Sequence, residues 1–329
     1  MKFRKVGSTG LNVSALSLGT WSLGGITKGK TSYGEISENK SINIISRAND
    51  LGVNFYDTSP TYGFSQKLLG AYFKKKRDKV IFCSKVGLNS YSKKKNFSKI
   101  FIKRQLKNIL SDLNTDYIDF IKLYCPDPKD KNIEEGYETL TKLKKEGLIR
   151  HIGVSLNSPA DLLKFNKNFK FEIAQCNFNL LDLRILDKKL LNHIKKNKIG
   201  IVARTIHCFG VFTEEFLKKK TFSNKNYKMT INDHRNRWGI EQLNSWSEGV
   251  KTIKNQLGND QNIEDIALKF SNSFDFVSSS LVGVQSVEQL NSNLKDNNFS
   301  ILKEESIKNI IKINKKEFFI KKNAPRRLI

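Results

Sequence analysis

The sequence is short of acid: 58 lysines and arginines face 32 aspartates and glutamates, a formal net charge of +26 over 329 residues. An excess of that size invites a nucleic-acid or anionic-surface partner. Its distribution argues otherwise. The clusters KKKRDK near residue 74, KKK near 93, KLKK near 142 and KKK at 218 fall in different helices and loops, with no strand of interleaved aromatics. They read as solvated faces, so no nucleic-acid partner is expected. Paired cysteines are also lacking. Cys83, Cys125, Cys176 and Cys208 stand singly in or beside apolar runs, which excludes C-x-x-C metal spacing and reads as buried free thiols of a reducing compartment. No metal site is expected. No run approaches the ~20 apolar residues of a membrane span, and no signal sequence is read ahead of FRKVG. The expected location is the cytoplasm, with no membrane partner. Of the four histidines, His151 and His193 read as structural. His207, just past a strand, suits a place near a substrate as well as one on the surface, and His234 lies in a polar loop.

What the chain does have is a rhythm. Strand-like runs alternate with helix-like runs: ALSLG, VNFYD, VIFCSK, YIDFIKLY, IRHIGVS, EIAQC, GIVARTI and FVSSSLVG make eight. That alternation argues βα units and a parallel sheet. Tyr117 to Leu123 hardly alternates, as expected of a strand buried on both faces. Ser37 suits the cap of a helix with Ile42, Ile45, Ala48 and Leu51 inward and Gly52 at its end; a second helix runs from about Asn132 to Glu146, closed by Gly147. The length exceeds the roughly 250 residues of one (β/α)8 TIM barrel, leaving room for an insertion and a tail. The fold class is therefore α/β, a single-domain barrel over 1–300 with a C-terminal helix and basic tail over 301–329.

Chemistry concentrates in residues 52 to 70, GVNFYDTSPTYGFSQKLLG. Val53 and Phe55 lead a strand into Asp57; Ser59, Pro60 and Gly63 break the chain; Leu68, Leu69, Tyr72 and Phe73 then space a helix. The next strand delivers Lys85. A carboxylate, the phenol of Tyr62 and an ammonium thus come from adjacent strand ends, where barrel enzymes keep their chemistry. Singly, Asp57 reads equally as a loop cap, Lys85 as a surface lysine and Tyr62 as a packing aromatic. Together they are a proton-transfer trio.

FYDTSPTYG followed by a strand ending SKVG resembles the aldo-keto reductases. FRKVGSTGLNVSALSLGTWSLGG resembles that family's N-terminal β-hairpin and first strand. IDFIKLYCPDP, IRHIGVSLNSP, AQCNFNLLD and LVGVQSVEQLNSN follow in the family's order, so the resemblance spans roughly residues 3 to 294. It implies hydride transfer from a nicotinamide cofactor to the carbonyl of an aldehyde or ketone, sugar derivatives included. Tyr62 would give the proton, Lys85 would lower its pKa, and Asp57 would hold Lys85. The family's histidine position holds Tyr124, a phenol that can also donate.

The resemblance implies cofactor contacts at Gly19, Thr20, Trp21, Ser155 and Gln175. It also implies them at Arg204, which would stack on the nicotinamide or neutralise an anionic substrate group, and at Gly283, Ser286, Gln289 and Asn293. The family's asparagine after Ser155 is Leu156, with Asn157 one place out of register. NADPH is the expected cofactor. NADH stays open, since Gly283, Gln285 and Gln289 stand where relatives often place a cation. No G-x-G-x-x-G fingerprint is present, as a barrel binding the cofactor in extended form requires. Tyr124 and Leu156 motivate the alternative, a weakly catalytic or regulatory cofactor-binding homologue. Residues 207 to 239 form a long polar and aromatic excursion, and 212 to 239 are expected to close over bound cofactor. Substrate identity and oligomeric state are not specified by these residues.

Overall fold

The computed structural model describes residues 1–27, 33–130, 132–165, 168–218, 238–258, 262–295, 299–314 and 318–319. Strands β1 (Phe3–Lys5) and β2 (Asn12–Ser14) form an antiparallel hairpin with Phe3 opposite Ser14. Eight parallel strands then close into a barrel in chain order. They are β3 (Leu16–Gly19), β4 (Phe55–Asp57), β5 (Ile81–Val86), β6 (Ile118–Tyr124), β7 (Ile149–Ser155), β8 (Ile173–Asn177), β9 (Gly200–Arg204) and β10 (Val277–Gly283), the last pairing back onto β3. Each strand read from the sequence is present.

Strand parity builds the site. Phe55, Ile81, Cys83, Phe120, Ile173 and Val202 pack together with Val6 and Val13 of the hairpin segment, an apolar floor inside the barrel. Side chains two residues on share a face of a strand, so Asp57, Lys85, Lys122, Gln175 and Arg204 form the next layer towards the C-terminal ends. The opposite parity, including Ile121, Leu123, Ala174, Cys176, Ile201 and Ala203, belongs to the larger core under the helices.

Outside the barrel lie α1 (Glu38–Asp50), α2 (Ser65–Phe73), α3 (Lys99–Asp112), α4 (Ile133–Lys145) and α5 (Lys188–Lys196). Ser37 caps α1, accepting from Lys40 N at 3.3 Å, and Gly52 follows its end at φ +83°. The buried face of α1 is Ser41, Ile44, Ile45 and Ala48. Ile42 and Leu51, half-buried, pack against the same core, as the sequence spacing predicts. Ser41 is satisfied inside, donating to Leu23 O at 2.9 Å. Between β7 and β8 the crossover is a 3-10 turn, Pro159–Lys164, held by a capping box of Ser158 and Asp161.

The crossover from β9 to β10 carries α6 (Glu214–Lys218), α7 (Ile240–Leu257) and α8 (Ile263–Asn272); α9 (Val287–Asn293) and α10 (Glu304–Ile313) follow β10. Phe212, Phe216 and Trp238 are buried, and the Trp238 ring lies 5.1 Å from Phe209 and 5.4 Å from Trp246. Residues 219–237, most of the segment expected to close over cofactor, lie outside the described residues with His234, as do residues 320–329 of the tail. All four cysteines are free and buried. No group of metal-binding side chains, and no helix long and apolar enough to cross a membrane, occurs among the described residues.

Candidate active site

A cavity of about 870 Å3 opens at the C-terminal ends of the strands, within the usual range for small-molecule and cofactor sites. At its base Asp57, 1 % exposed, is gripped twice. Lys85 Nζ donates to Oδ1 at 2.5 Å and to Thr58 O at 2.9 Å; Lys122 Nζ, wholly buried, donates to Oδ2 and to Gln175 Oε1, the latter at 2.9 Å. Burial pushes the Asp57 carboxyl up, but Lys122 and then Lys85 outweigh it and hold it below the usual carboxylate range. Lys122 was not singled out from the sequence. Its signal was a lone lysine in an apolar strand, at the parity of Phe120 and Tyr124.

Tyr62 sits above this cluster. Lys85 Nζ lies 4.7 Å from its ring centroid, and Trp21 stacks on it with centroids 6.0 Å apart. The phenol is raised well above its ordinary value by burial first, then by Asp57 and Tyr124, with Arg204 opposing. The expected downward pull of Lys85 does not prevail, because the ammonium bonds to Asp57 and Thr58 and the desolvated pocket penalises a phenolate. Tyr124, half-buried at the end of β6, faces the same cavity, as does Tyr91, whose ring centroid is 6.5 Å from that of Tyr124. Tyr33 packs edge-on to Trp21 at 5.3 Å. Tyr33 and Tyr91 come from loops and had no motif to mark them.

The cofactor candidates divide. Gly19, Trp21, Ser155, Gln175, Arg204, Gly283, Gln289 and Asn293 line the cavity. Thr20 does not; its hydroxyl donates to Asp57 O at 3.0 Å, tying β3 to β4. Ser286 is likewise taken up locally, capping α9 by accepting from Gln289 N at 3.2 Å. Leu156 is core, and Asn157 reaches the cavity in its place. Because Lys122 occupies Gln175 Oε1, the Gln175 amide is oriented with its donor nitrogen available. Buried Asn177 Oδ1, Arg204 Nε and His207 Nε2 line the cavity without a hydrogen-bond partner among the described residues. A polar ligand suits those atoms, since buried polar groups are ordinarily paired. Burial pushes the His207 imidazole down to about 4, so it is neutral at pH 7.

Backbone strain marks the same rim. Cys125 follows Tyr124 at φ +43° and Thr205 follows Arg204 at φ +61°, both left-handed for residues with a Cβ. Lys95 Nζ donates to the Cys125 carbonyl, and Asn179 Nδ2 donates to Thr205 O at 2.9 Å, fixing these turns.

The family model for the aldo/keto reductases matches residues 15–315. The aldo-keto reductase YhdN of Bacillus subtilis is 33% identical over 228 residues, 68% of this chain and 67% of its own. The uncharacterized oxidoreductase YqkF of the same organism is 27% identical over 325 residues, covering 97% and 98% of the two chains. Among solved structures, the aldo-keto reductase AKR11C1 of Bacillus halodurans in its holo form superposes with a TM-score of 0.76 at 25% identity, covering 95% of this chain and 96% of that one. The chain belongs to the aldo/keto reductase family and is an NAD(P)-dependent oxidoreductase of carbonyl compounds.

Proposed function

We propose that Tyr62 is the proton donor of this reductase, with Asp57, Lys85 and Lys122 as the charged base beneath it and Tyr124 as the second donor to the carbonyl oxygen. The observation that carries this is the Asp57 carboxylate held between two ammoniums, one of them 4.7 Å from the Tyr62 ring centre. A raised phenol keeps its proton at neutral pH, the form an acid needs. As the substrate oxygen gains charge and takes that proton, the new phenolate faces Lys85 and Arg204, whose charges stabilise it in a site of low dielectric. Asp57 keeps the ammoniums in place. Tyr124 O–H would donate to the same oxygen.

Ser155, Gln175, Asn177, Gly283 and Asn293 are the residues that would hold the nicotinamide cofactor, which supplies the hydride. NADPH is the family's usual partner. On this chain, however, Glu288 lines the cavity beside Gln285 and Gln289, and a carboxylate favours a ribose hydroxyl over a 2′-phosphate. We therefore propose that NADH is accepted alongside NADPH. Fluorescence titration with both cofactors, then a panel of aldehydes and ketones including sugar aldehydes and keto-sugars, tests the assignment. Saturable binding and turnover of at least one carbonyl are expected; binding of neither cofactor contradicts it.

A further inference from the structure

Arg204 ends β9 with its guanidinium among Tyr62, Tyr124, Cys125 and Cys176. One nitrogen donates to Leu156 O at 2.8 Å, while Nε is buried without a partner among the described residues. Two other partly buried arginines are matched by a carboxylate. Arg184 meets Asp182 at 2.7 Å and Arg77 meets Asp119 at 2.7 Å, whereas Arg4 donates to the carbonyls of Asn272, Phe274 and Val277. No carboxylate among the described residues pairs with Arg204. A half-buried guanidinium with a buried, unpartnered Nε is costly, and the cost is recovered when a ligand entering the cavity brings the anion.

The surrounding charge points the same way. Lys85 and Lys122 share the single Asp57, leaving one positive charge in excess before Arg204 is counted. Lys93 and Lys95 line the outer part of the same cavity. Glu264 and Glu288 also line it, but neither forms an ion pair with Arg204. Thr205, next in the chain at φ +61°, is held by Asn179, so the strand end that aims Arg204 is fixed.

We infer that Arg204 is an anion subsite of the carbonyl pocket, so that the substrate is an aldehyde or ketone carrying a carboxylate or a phosphate. This rests on the carbonyl-reductase reading of the same cavity and narrows it. Arg204 binds the anionic group while Tyr62 and Tyr124 meet the carbonyl oxygen, so one side chain sets both affinity and orientation. A planar fork of donors suits either oxyanion.

The test uses matched substrates at saturating cofactor: glyceraldehyde against glyceraldehyde 3-phosphate, and butanal against succinic semialdehyde. The parent is expected to favour the anionic member of at least one pair by about tenfold or more in kcat/KM, the scale of a charged hydrogen bond. Arg204→Gln should collapse that ratio towards one, and Arg204→Lys should retain part of it. The favoured pair tells phosphate from carboxylate. Binding of 2-phosphoglycolate and oxamate to the cofactor-loaded protein, followed by thermal shift in the parent and both variants, needs no turnover. Arg204-dependent binding with no carbonyl reduced would leave the subsite standing and remove the reductase reading. A parent ratio near one in both pairs overturns the subsite, as does a ratio unchanged by Arg204→Gln. So does a variant that loses cofactor affinity alone, since the anion would then belong to the cofactor. Should Arg204→Gln fail to fold, absence of binding of both anions to the parent overturns it equally.

Discussion

Lys122 and Asp57 are joined inside the barrel, the wholly buried ammonium closing on Oδ2 while Lys85 holds Oδ1. One carboxylate therefore serves two cations. Asp57→Asn strips the anion from both and leaves like charges facing each other out of water, a change that costs ~3–5 kcal/mol in comparable buried pairs. Urea denaturation at pH 7 should show that loss together with loss of turnover. A variant as stable as the parent contradicts the shared-carboxylate arrangement.

Lys122→Met removes the excess positive charge but leaves the Asp57–Lys85 pair. The phenolate of Tyr62 then becomes harder to form. In alcohol oxidation, where the phenolate is the base, the acid limb of the pH profile of kcat/KM should move to higher pH by about one unit. Gln175 also loses the donor to its Oε1, so cofactor affinity should fall a few-fold. A variant with the parental pH profile would leave Lys122 a packing residue.

Tyr124→Phe should lower kcat by on the order of 10²-fold, the usual cost of removing one donor to a developing oxyanion, with little change in cofactor affinity. Tyr124→His should keep a donor and retain more activity than Tyr124→Phe. If Tyr124→Phe turns over like the parent, the paired-tyrosine arrangement fails and weight moves to a cofactor-sensing role.

Glu172 provides a pH test of stability away from the site. It accepts from His151 Nδ1 at 2.7 Å, Lys144 Nζ at 2.6 Å and Ile152 N at 3.1 Å. Burial pushes its carboxyl up, yet these donors prevail and hold it at about 2. A depressed carboxyl stabilises the fold above its ordinary value, and that contribution is lost as pH falls towards about 2. Glu172→Gln should thus be less stable than the parent at pH 7 by ~1–3 kcal/mol, as for other charged hydrogen bonds. The gap should narrow as pH drops from 5 to the low end; a constant gap means that the charge is not responsible.

The barrel was legible because parallel strands buried on both faces read as apolar runs with regular spacing, and because Asp57, Tyr62 and Lys85 sit where two such runs end. Other features depend on what the chain meets in space. Ser41 joins the buried face of α1 on the strength of one bond to Leu23 O, which no hydrophobic spacing marks. Lys122 hid in a strand whose lack of alternation was itself the expected sign of burial. Asn157 looked out of register, yet the turn after β7 brings it to the cavity and sends Leu156 to the core. Tyr33 and Tyr91 lie on loops that bring their rings against Trp21, and only the folded arrangement reveals that no carboxylate among the described residues pairs with Arg204.

Tyr62→Phe tests the central assignment most directly. The phenol acts on the substrate oxygen, so carbonyl reduction should be abolished while NADPH and NADH affinities, read by fluorescence titration, stay within a few-fold of the parent. A Tyr62→Phe protein that still reduces the best carbonyl of the panel at the parental rate would contradict the proton-donor assignment.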